Sequence, residues 1–274
     1  MDYKLSVITV NYNDKNGLQK TIESVKQQTW QNFEFIVIDG GSTDGSKEIV
    51  DHYKNLFAYC ISEPDNGVYN AMNKGIKQAK GEYLIFLNSG DILNSGTTLL
   101  EIEPYLNGKK DILYGDANYQ EKPGEVLRTY PDKLTFGFFL EHNLSHQAAF
   151  IKRKLFDDIF FYNEDYKIAS DWEFFIYAIC NRNVSYEHID LVICKYDTSG
   201  LSSITDNHKL MHREKTQTIE RFFPSFVDDY KGLSETKSKR FKQFLFIKEH
   251  KISFKLLKGY MSILLFFLPK SKIN

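Results

Sequence analysis

Two acidic residues in the first third of this chain stand where an apolar strand runs out. Leu84-Ile85-Phe86-Leu87 stops at Asn88-Ser89-Gly90-Asp91, and Phe33 to Ile38 runs into Asp39-Gly40-Gly41-Ser42-Thr43-Asp44-Gly45. An open α/β sheet presents ligand-binding groups at the carboxyl ends of its strands. Two carboxylates at two such ends suggest a nucleotide and a metal ion. A hard divalent cation between Asp91 and a diphosphate would neutralise charge on a departing phosphate, with phosphate and water oxygens completing its shell. Asp91 reads equally as a turn or N-cap residue. Asp39 could accept the imide hydrogen of uracil or a ribose hydroxyl, with the glycines behind it letting backbone approach the ligand. Asp44 is placed to cap the helix that follows.

Other candidates lie near these ends. Asn11, Tyr12 and Asn13 follow the first strand, where Tyr12 could stack on a base or simply pack in a loop. Asp65, Asn70, Asn73 and Lys74 sit in a loop and on the first turns of a helix, a natural place for phosphate or sugar hydroxyls. Asp171, in Ala169-Ser170-Asp171-Trp172-Glu173, opens an apolar helix. It could take a proton from a sugar hydroxyl, or it could belong to a helix start in which Ser170 and Glu173 have capping-box spacing. His146 and Gln147 precede a short strand and could line an acceptor pocket with Trp172. His208 and His212 have the spacing of a metal pair on a helix, but no third ligand follows.

These residues need a scaffold, and the hydrophobic pattern supplies one. Residues 5–10, 33–38, 57–61, 82–87 and 111–114 read as strands, with Leu18, Ile22 and Val25, then Val68, Met72, Ile76 and Ala79, recurring at helical spacing between them. Such alternation makes a mostly parallel, Rossmann-like sheet flanked by helices the default, with right-handed crossovers. Beyond Asp116 the elements shorten: 126–130 and 148–151, a helix from Asp171, and a strand over 189–195. The expected organisation is a nucleotide-binding subdomain over 1–115, an acceptor-binding subdomain over 116–230, and a basic helical segment over 231–274.

The 274 residues, 42% of them hydrophobic, suffice for a packed core. The net charge of -1 hides an asymmetry, because residues 231–274 carry eleven Lys or Arg against two acids. The first 230 residues carry 24 basic and 34 acidic side chains. That split suggests a basic tail meeting an anionic surface; no nucleic-acid partner is expected. Three cysteines without paired spacing fit a reducing compartment, and no secretory signal is evident, so a cytoplasmic protein is expected.

Taken together, Leu5 to Asn13, Ile38 to Gly45, Ala71-Met72-Asn73-Lys74-Gly75, Gly81 to Asp91 and Ser170-Asp171-Trp172-Glu173 resemble the family 2 glycosyltransferases of the GT-A fold, especially bacterial enzymes of O-antigen, capsule and exopolysaccharide synthesis. The likeness covers about residues 4 to 200. It implies donor-binding roles for Thr9, Asn11, Tyr12, Asp39, Asp65, Asn73, Lys74, Asn88 and Ser89, and acceptor contacts from His146, Gln147 and Trp172. It implies Mn²⁺ or Mg²⁺ at Asp91 and a catalytic base at Asp171. The chain departs from the family pattern at three points. Gly40 replaces the second acid of Asp-Asp-Gly-Ser, Asn88-Ser89-Gly90-Asp91 replaces the Asp-x-Asp metal motif, and Met72 stands where an Arg is frequent, with Lys74 a possible substitute.

The implied reaction is a single inverting displacement from a nucleotide-sugar, UDP-linked by family frequency, onto a hydroxyl of a glycan or lipid-linked acceptor. Two alternatives stay open: a sugar-phosphate nucleotidyltransferase, which lacks its Gly-rich basic loop here, and a binding module of the same fold that has lost activity. The segment from Gly259 to Leu268 is too short to span a bilayer, which takes about 20 apolar residues. Flanked by Lys251, Lys255, Lys258, Lys270 and Lys272, it suggests a peripheral helix on the inner face of the cell membrane.

Overall fold

Leu5–Asn11 (β1) is buried along its whole length, as a strand with parallel neighbours on both sides must be. The computed structural model describes residues 3–121, 124–200, 207–236 and 239–267. Around β1 the first half of the fold is a repeated strand-helix unit. It comprises Lys15–Lys26 (α1), Phe33–Asp39 (β2), Ser46–His52 (α2), Tyr59–Ser62 (β3), Val68–Gln78 (α3) and Tyr83–Phe86 (β4). α1 turns Leu18, Ile22 and Val25 onto the sheet, where they pack with Leu5 and Val7. Full burial of each such side chain stabilises the fold by roughly 2 kcal/mol. On the opposite face α3 comes so close that a methyl group on Gly75 would lie 2.5 Å from Ile8 Cγ2.

The second half extends the same sheet. Ile92–Leu93 (β5), Thr98–Ile102 (α4), Ile112–Glu121 (β6), Gly124–Arg128 (β7), Phe136–Glu141 (α5), Ala149–Lys152 (β8), Lys154–Asp158 (α6), Ser170–Ile176 (α7) and Tyr186–Asp197 (β9) follow in order. The nine strands run β3-β2-β1-β4-β8-β6-β9-β5, with β7 paired to β6. β3, β2, β1 and β4 are parallel, β8 is antiparallel to both β4 and β6, and β6 pairs β9 in parallel with a bulge between Tyr114 and Ala117. The expected subdomain boundary at 115/116 therefore falls inside β6. Its ladders to β8 and β9 join the two halves into one sheet, and a single compact unit extends over Met1–Thr218.

The described residues of the second unit, Ile219–Asn274, are mainly helical. It holds the end of His208–Phe222 (α8), then Val227–Thr236 (α9), Lys239–Glu249 (α10) and Lys251–Phe267 (α11). No residue of α11 is buried. No helix among the described residues is long and apolar enough to cross a membrane. Leu268, Lys270 and Lys272, which the sequence placed around the apolar tail, lie outside the described residues.

Candidate active site

The parallel register sets Asn11, Asp39 and Ser62 side by side at the ends of β1, β2 and β3. Asp39 accepts hydrogen bonds from Asn11 Nδ2 (2.7 Å), Ser62 Oγ (2.5 Å), Ser42 Oγ (2.5 Å) and Ser42 N (3.1 Å). Burial alone would raise its carboxyl, but the bonds from Ser42, Ser62 and Asn11 outweigh it and hold Asp39 below its ordinary value. Wholly inaccessible and bonded by these donors, Asp39 ties the loops after β1, β2 and β3 together. Thr9 is likewise fully buried, and Asn73 is turned inward to the Tyr162 carbonyl and Glu164. Lys74 pairs with Glu63 at 2.7 Å. None of these four lines the cleft described next.

An open cleft of about 1950 Å³ lies over the strand ends of the first unit. A pocket for one drug-sized ligand occupies roughly 300–1,000 Å³, so this one has room for two substrates. Asn11, Tyr12, Asp65, Asn88, Ser89, Asp91, His146, Gln147, Asp171 and Trp172 all line it. On one wall Tyr12 is 68% exposed. Bare Gly40 forms the floor beneath it, where a methyl group would lie 2.5 Å from Asp65 Oδ2 and 3.2 Å from Tyr12 Cδ2. The carboxylate missing at position 40 is thus matched in space by that of Asp65. Ser89 Oγ donates to Asn11 Oδ1 at 2.7 Å and joins β1 to the turn after β4.

That turn carries Gly90 at φ +97°, a left-handed conformation that glycine adopts without strain. The turn delivers Asp91 into a sealed position, 2% exposed, with Oδ1 accepting from Asp197 N (2.9 Å) and Oδ2 from Gln147 Nε2 (3.0 Å). Burial pushes its carboxyl up to about 7 despite these two donors. At the end of β9, Asp197 points its Oδ2 to within 2.6 Å of where a Gly90 side chain would begin. A carboxylate from β9 therefore stands beside the turn whose own second acid is absent.

Asp171 sits on the first turn of α7, nearly as buried as Asp91. Tyr69 OH donates to Oδ1 at 3.1 Å, while His146 Nδ1 (2.9 Å) and Asn143 Nδ2 (3.2 Å) bond Oδ2. Burial pushes this carboxyl up, but the His146 contact, with the Trp172 backbone and Asn143, brings it below its ordinary value. The capping box expected of Ser170 and Glu173 is not formed: Ala169 is the N-cap, Ser170 Oγ accepts from Asn163 N, and Glu173 accepts from Thr218 Oγ1. The N-cap of the helix after β2 is Gly45, not Asp44; Asp44, one residue before it, accepts from Ser46 N at 3.1 Å.

The two carboxylates are joined through one turn, because consecutive residues His146 and Gln147 hold Asp171 and Asp91 respectively. Asn143, Asp197 and Lys167, which the sequence reading passed over, also line the cleft. Lys167 Nζ lies near the start of α3, 3.5 Å from the Asn66 carbonyl; Lys167 lines the cleft and Lys74 does not. No motif marks these three; β9 and the loops before β8 and α7 bring them in.

The family model described as Glycosyl transferase family 2 matches residues 6–163. The chain belongs to that family. Among its relatives is a glycosyltransferase of Mycobacterium tuberculosis that is itself uncharacterised, 36% identical over 73% of this chain and 77% of its own length. A PGL/p-HBAD biosynthesis glycosyltransferase of Mycobacterium bovis is 31% identical over 76% of this chain and 82% of its own. Among solved structures, S. aureus TarS 1-349 in complex with UDP-GlcNAc superposes with a TM-score of 0.61 at 20% identity, covering 89% of this chain and 79% of that one. The fold is GT-A, and the family's activity is transfer of sugar from a nucleotide-sugar.

Proposed function

We propose that the chain is an inverting glycosyltransferase that moves sugar from a UDP-linked donor to a hydroxyl of a glycan or lipid-linked acceptor in cell-surface polysaccharide synthesis. The observation that carries this reading is the convergence of Tyr12, Asp65, Asp91 and Asp171 on one cleft with room for two substrates. A base would stack on Tyr12, ribose would meet Asp65, and the diphosphate would lie along the turn after β4 toward Lys167. The acceptor hydroxyl would enter beside Asp171, with Trp172 and His146 shaping its pocket, so that attack comes from the face opposite the diphosphate. TarS, crystallised with UDP-GlcNAc, supports the choice of uridine donor.

The family resemblance implies a divalent cation. No group of three or more His, Cys, Asp or Glu among the described residues is placed to hold a metal ion, but a hard cation that takes oxygens from diphosphate and water needs fewer protein ligands. The buried Asp91 carboxyl, whose ionised form a cation would favour, and the adjacent Asp197 carboxylate fit that requirement. Mn²⁺ or Mg²⁺ would be held by these two and would supply charge stabilisation for the leaving diphosphate.

At 100° per residue, Lys251, Lys255, Lys258 and Ser262 share one face of α11. Ile252 (80% exposed), Leu256 (72%), Ile263 (60%) and Phe267 (77%) lie on the rest of its surface. Such a helix lies in the headgroup plane of an anionic bilayer, placing the enzyme peripherally on the cytoplasmic face of the membrane, where a lipid-linked acceptor would be met.

The test is release of nucleotide from a panel of UDP-, GDP- and dTDP-sugars with Mn²⁺. UDP should appear with at least one donor, and Asp171→Asn should abolish its release while leaving UDP affinity nearly intact. Formation of nucleoside triphosphate and sugar phosphate when inorganic diphosphate is added to the nucleotide-sugar would indicate nucleotidyl transfer, and binding without any turnover would leave a non-catalytic module.

A further inference from the structure

The hydrogen bonds around Asp171 divide the work of proton transfer differently from a lone carboxylate base. Oδ1 takes the Tyr69 hydroxyl, and Oδ2 takes both His146 Nδ1 and the Asn143 amide. An incoming hydroxyl must compete with three side-chain donors for these oxygens. Asp171 and His146 both line the cleft, with side chains 7% and 12% exposed respectively. A carboxylate that accepts so many bonds, and is held below its ordinary value, is also a weak base toward an alcohol.

The imidazole has the complementary arrangement. An ionised carboxylate only accepts hydrogen bonds, so in the neutral ring the proton facing Asp171 resides on Nδ1, and Nε2 carries the lone pair. Nε2 points away from Asp171 toward Asn88 Nδ2, 3.4 Å distant on the donor-side turn after β4. The ring is set edge-on against Phe86, with centroids 6.4 Å apart, and Gln147 next to it is anchored on Asp91. An aimed, oriented base between the acceptor pocket and the donor turn is what an attacking hydroxyl requires.

We propose that His146 Nε2 is the atom that takes the acceptor's proton, and that Asp171 holds the imidazole in the required tautomer and faces the resulting imidazolium. The inference rests on the glycosyltransferase reading and deepens it at this one step. The acceptor O–H proton passes to Nε2 while the oxygen's electron pair forms the new bond to the anomeric carbon. The bond from that carbon to the diphosphate oxygen breaks, its pair leaves with the diphosphate, and His146 then returns the proton to solvent. Asp171 stays ionised throughout.

The deciding variant is His146→Asn. Its amide nitrogen reproduces Nδ1 and keeps the bond to Asp171, but nothing replaces Nε2. With the UDP-sugar that the wild type turns over fastest, kcat for UDP release should fall 10²- to 10⁴-fold while UDP affinity, measured by calorimetry, stays within about threefold. An Asn variant with kcat within about threefold of wild type, alongside an inactive Asp171→Asn, would overturn the His146 assignment and leave the glycosyltransferase reading standing. A wild-type protein silent with every donor would defeat that reading, and the inference with it. Independently of any variant, nitrogen NMR of the neutral His146 ring should show the proton on Nδ1. A ring protonated on Nε2 would overturn the proposal.

Discussion

Asp91 and Asp39 are buried carboxylates at the ends of strands on either side of β1, and their surroundings push them in opposite directions. Asp39 has more donors than burial can offset; Asp91 has two, and rises from 3.8 to about 7. Between those two pH values the folded protein holds a proton on Asp91 that the unfolded chain has released. The stabilisation from this group is complete below 3.8 and is lost as pH rises through 7. The full effect is on the order of 4 kcal/mol. Asp39 and Asp171 have the opposite sign, and their contribution is lost only as pH falls below 3.8. In metal-free buffer, Asp91→Asn should therefore gain Tm relative to wild type between pH 5 and pH 8, an amide being content at that buried position once Gln147 turns its own amide over. A Tm difference independent of pH would contradict the burial argument. The types of these residues were legible in the sequence, but their depth was not. Thr9 stands on β1 and Asp39 at the end of β2, and only the packed sheet reveals which side chains reach the cleft.

At the scale of elements, the segment before α7 is what sets Asp171 in place. Glu214 on α8, 2% exposed, accepts the backbone N–H groups of Lys167 (2.8 Å), Ile168 (3.0 Å) and Ala169 (3.0 Å). Removing that carboxylate strands three donors, each worth about 1 kcal/mol or more when buried without a partner. Glu214→Ala should lower the unfolding free energy by roughly 3 kcal/mol and, by loosening Asp171, reduce kcat more than it changes UDP affinity. An unchanged urea midpoint would show that the three N–H groups find water instead. The parallel strands β1 to β4 were readable as short apolar runs, and α1 and α3 because their buried residues recur at helical spacing. β5 is only two residues long, too short for a period to register. The expected strand at 111–114 continues to Glu121, because a bulge lets polar residues stay paired with β9. Glu214 itself sits in a polar helix with no motif to mark it.

For the whole molecule, the uneven charge has a structural counterpart. The acidic portion corresponds largely to the sheet-bearing unit, and the described lysines and arginine of the basic portion lie in helices ending with α11, none of whose residues is buried. Each lysine near an anionic surface contributes about 1 kcal/mol. Replacing Lys251, Lys255 and Lys258 by Gln should thus weaken binding to vesicles rich in phosphatidylserine on the order of 100-fold, with little change on neutral vesicles. Equal binding by the variant would remove the lysine face from membrane attachment. The charge split was visible in the sequence, whereas the common face of the three lysines needed a continuous helix over 251–267. The account as a whole depends on the Asp171 centre moving a proton within the cleft that holds the donor. The most direct measurement is the rate of UDP release by Asp171→Asn relative to wild type, at equal donor occupancy established by calorimetry. The predicted ratio is 10⁻² or lower; a ratio near one would contradict the account.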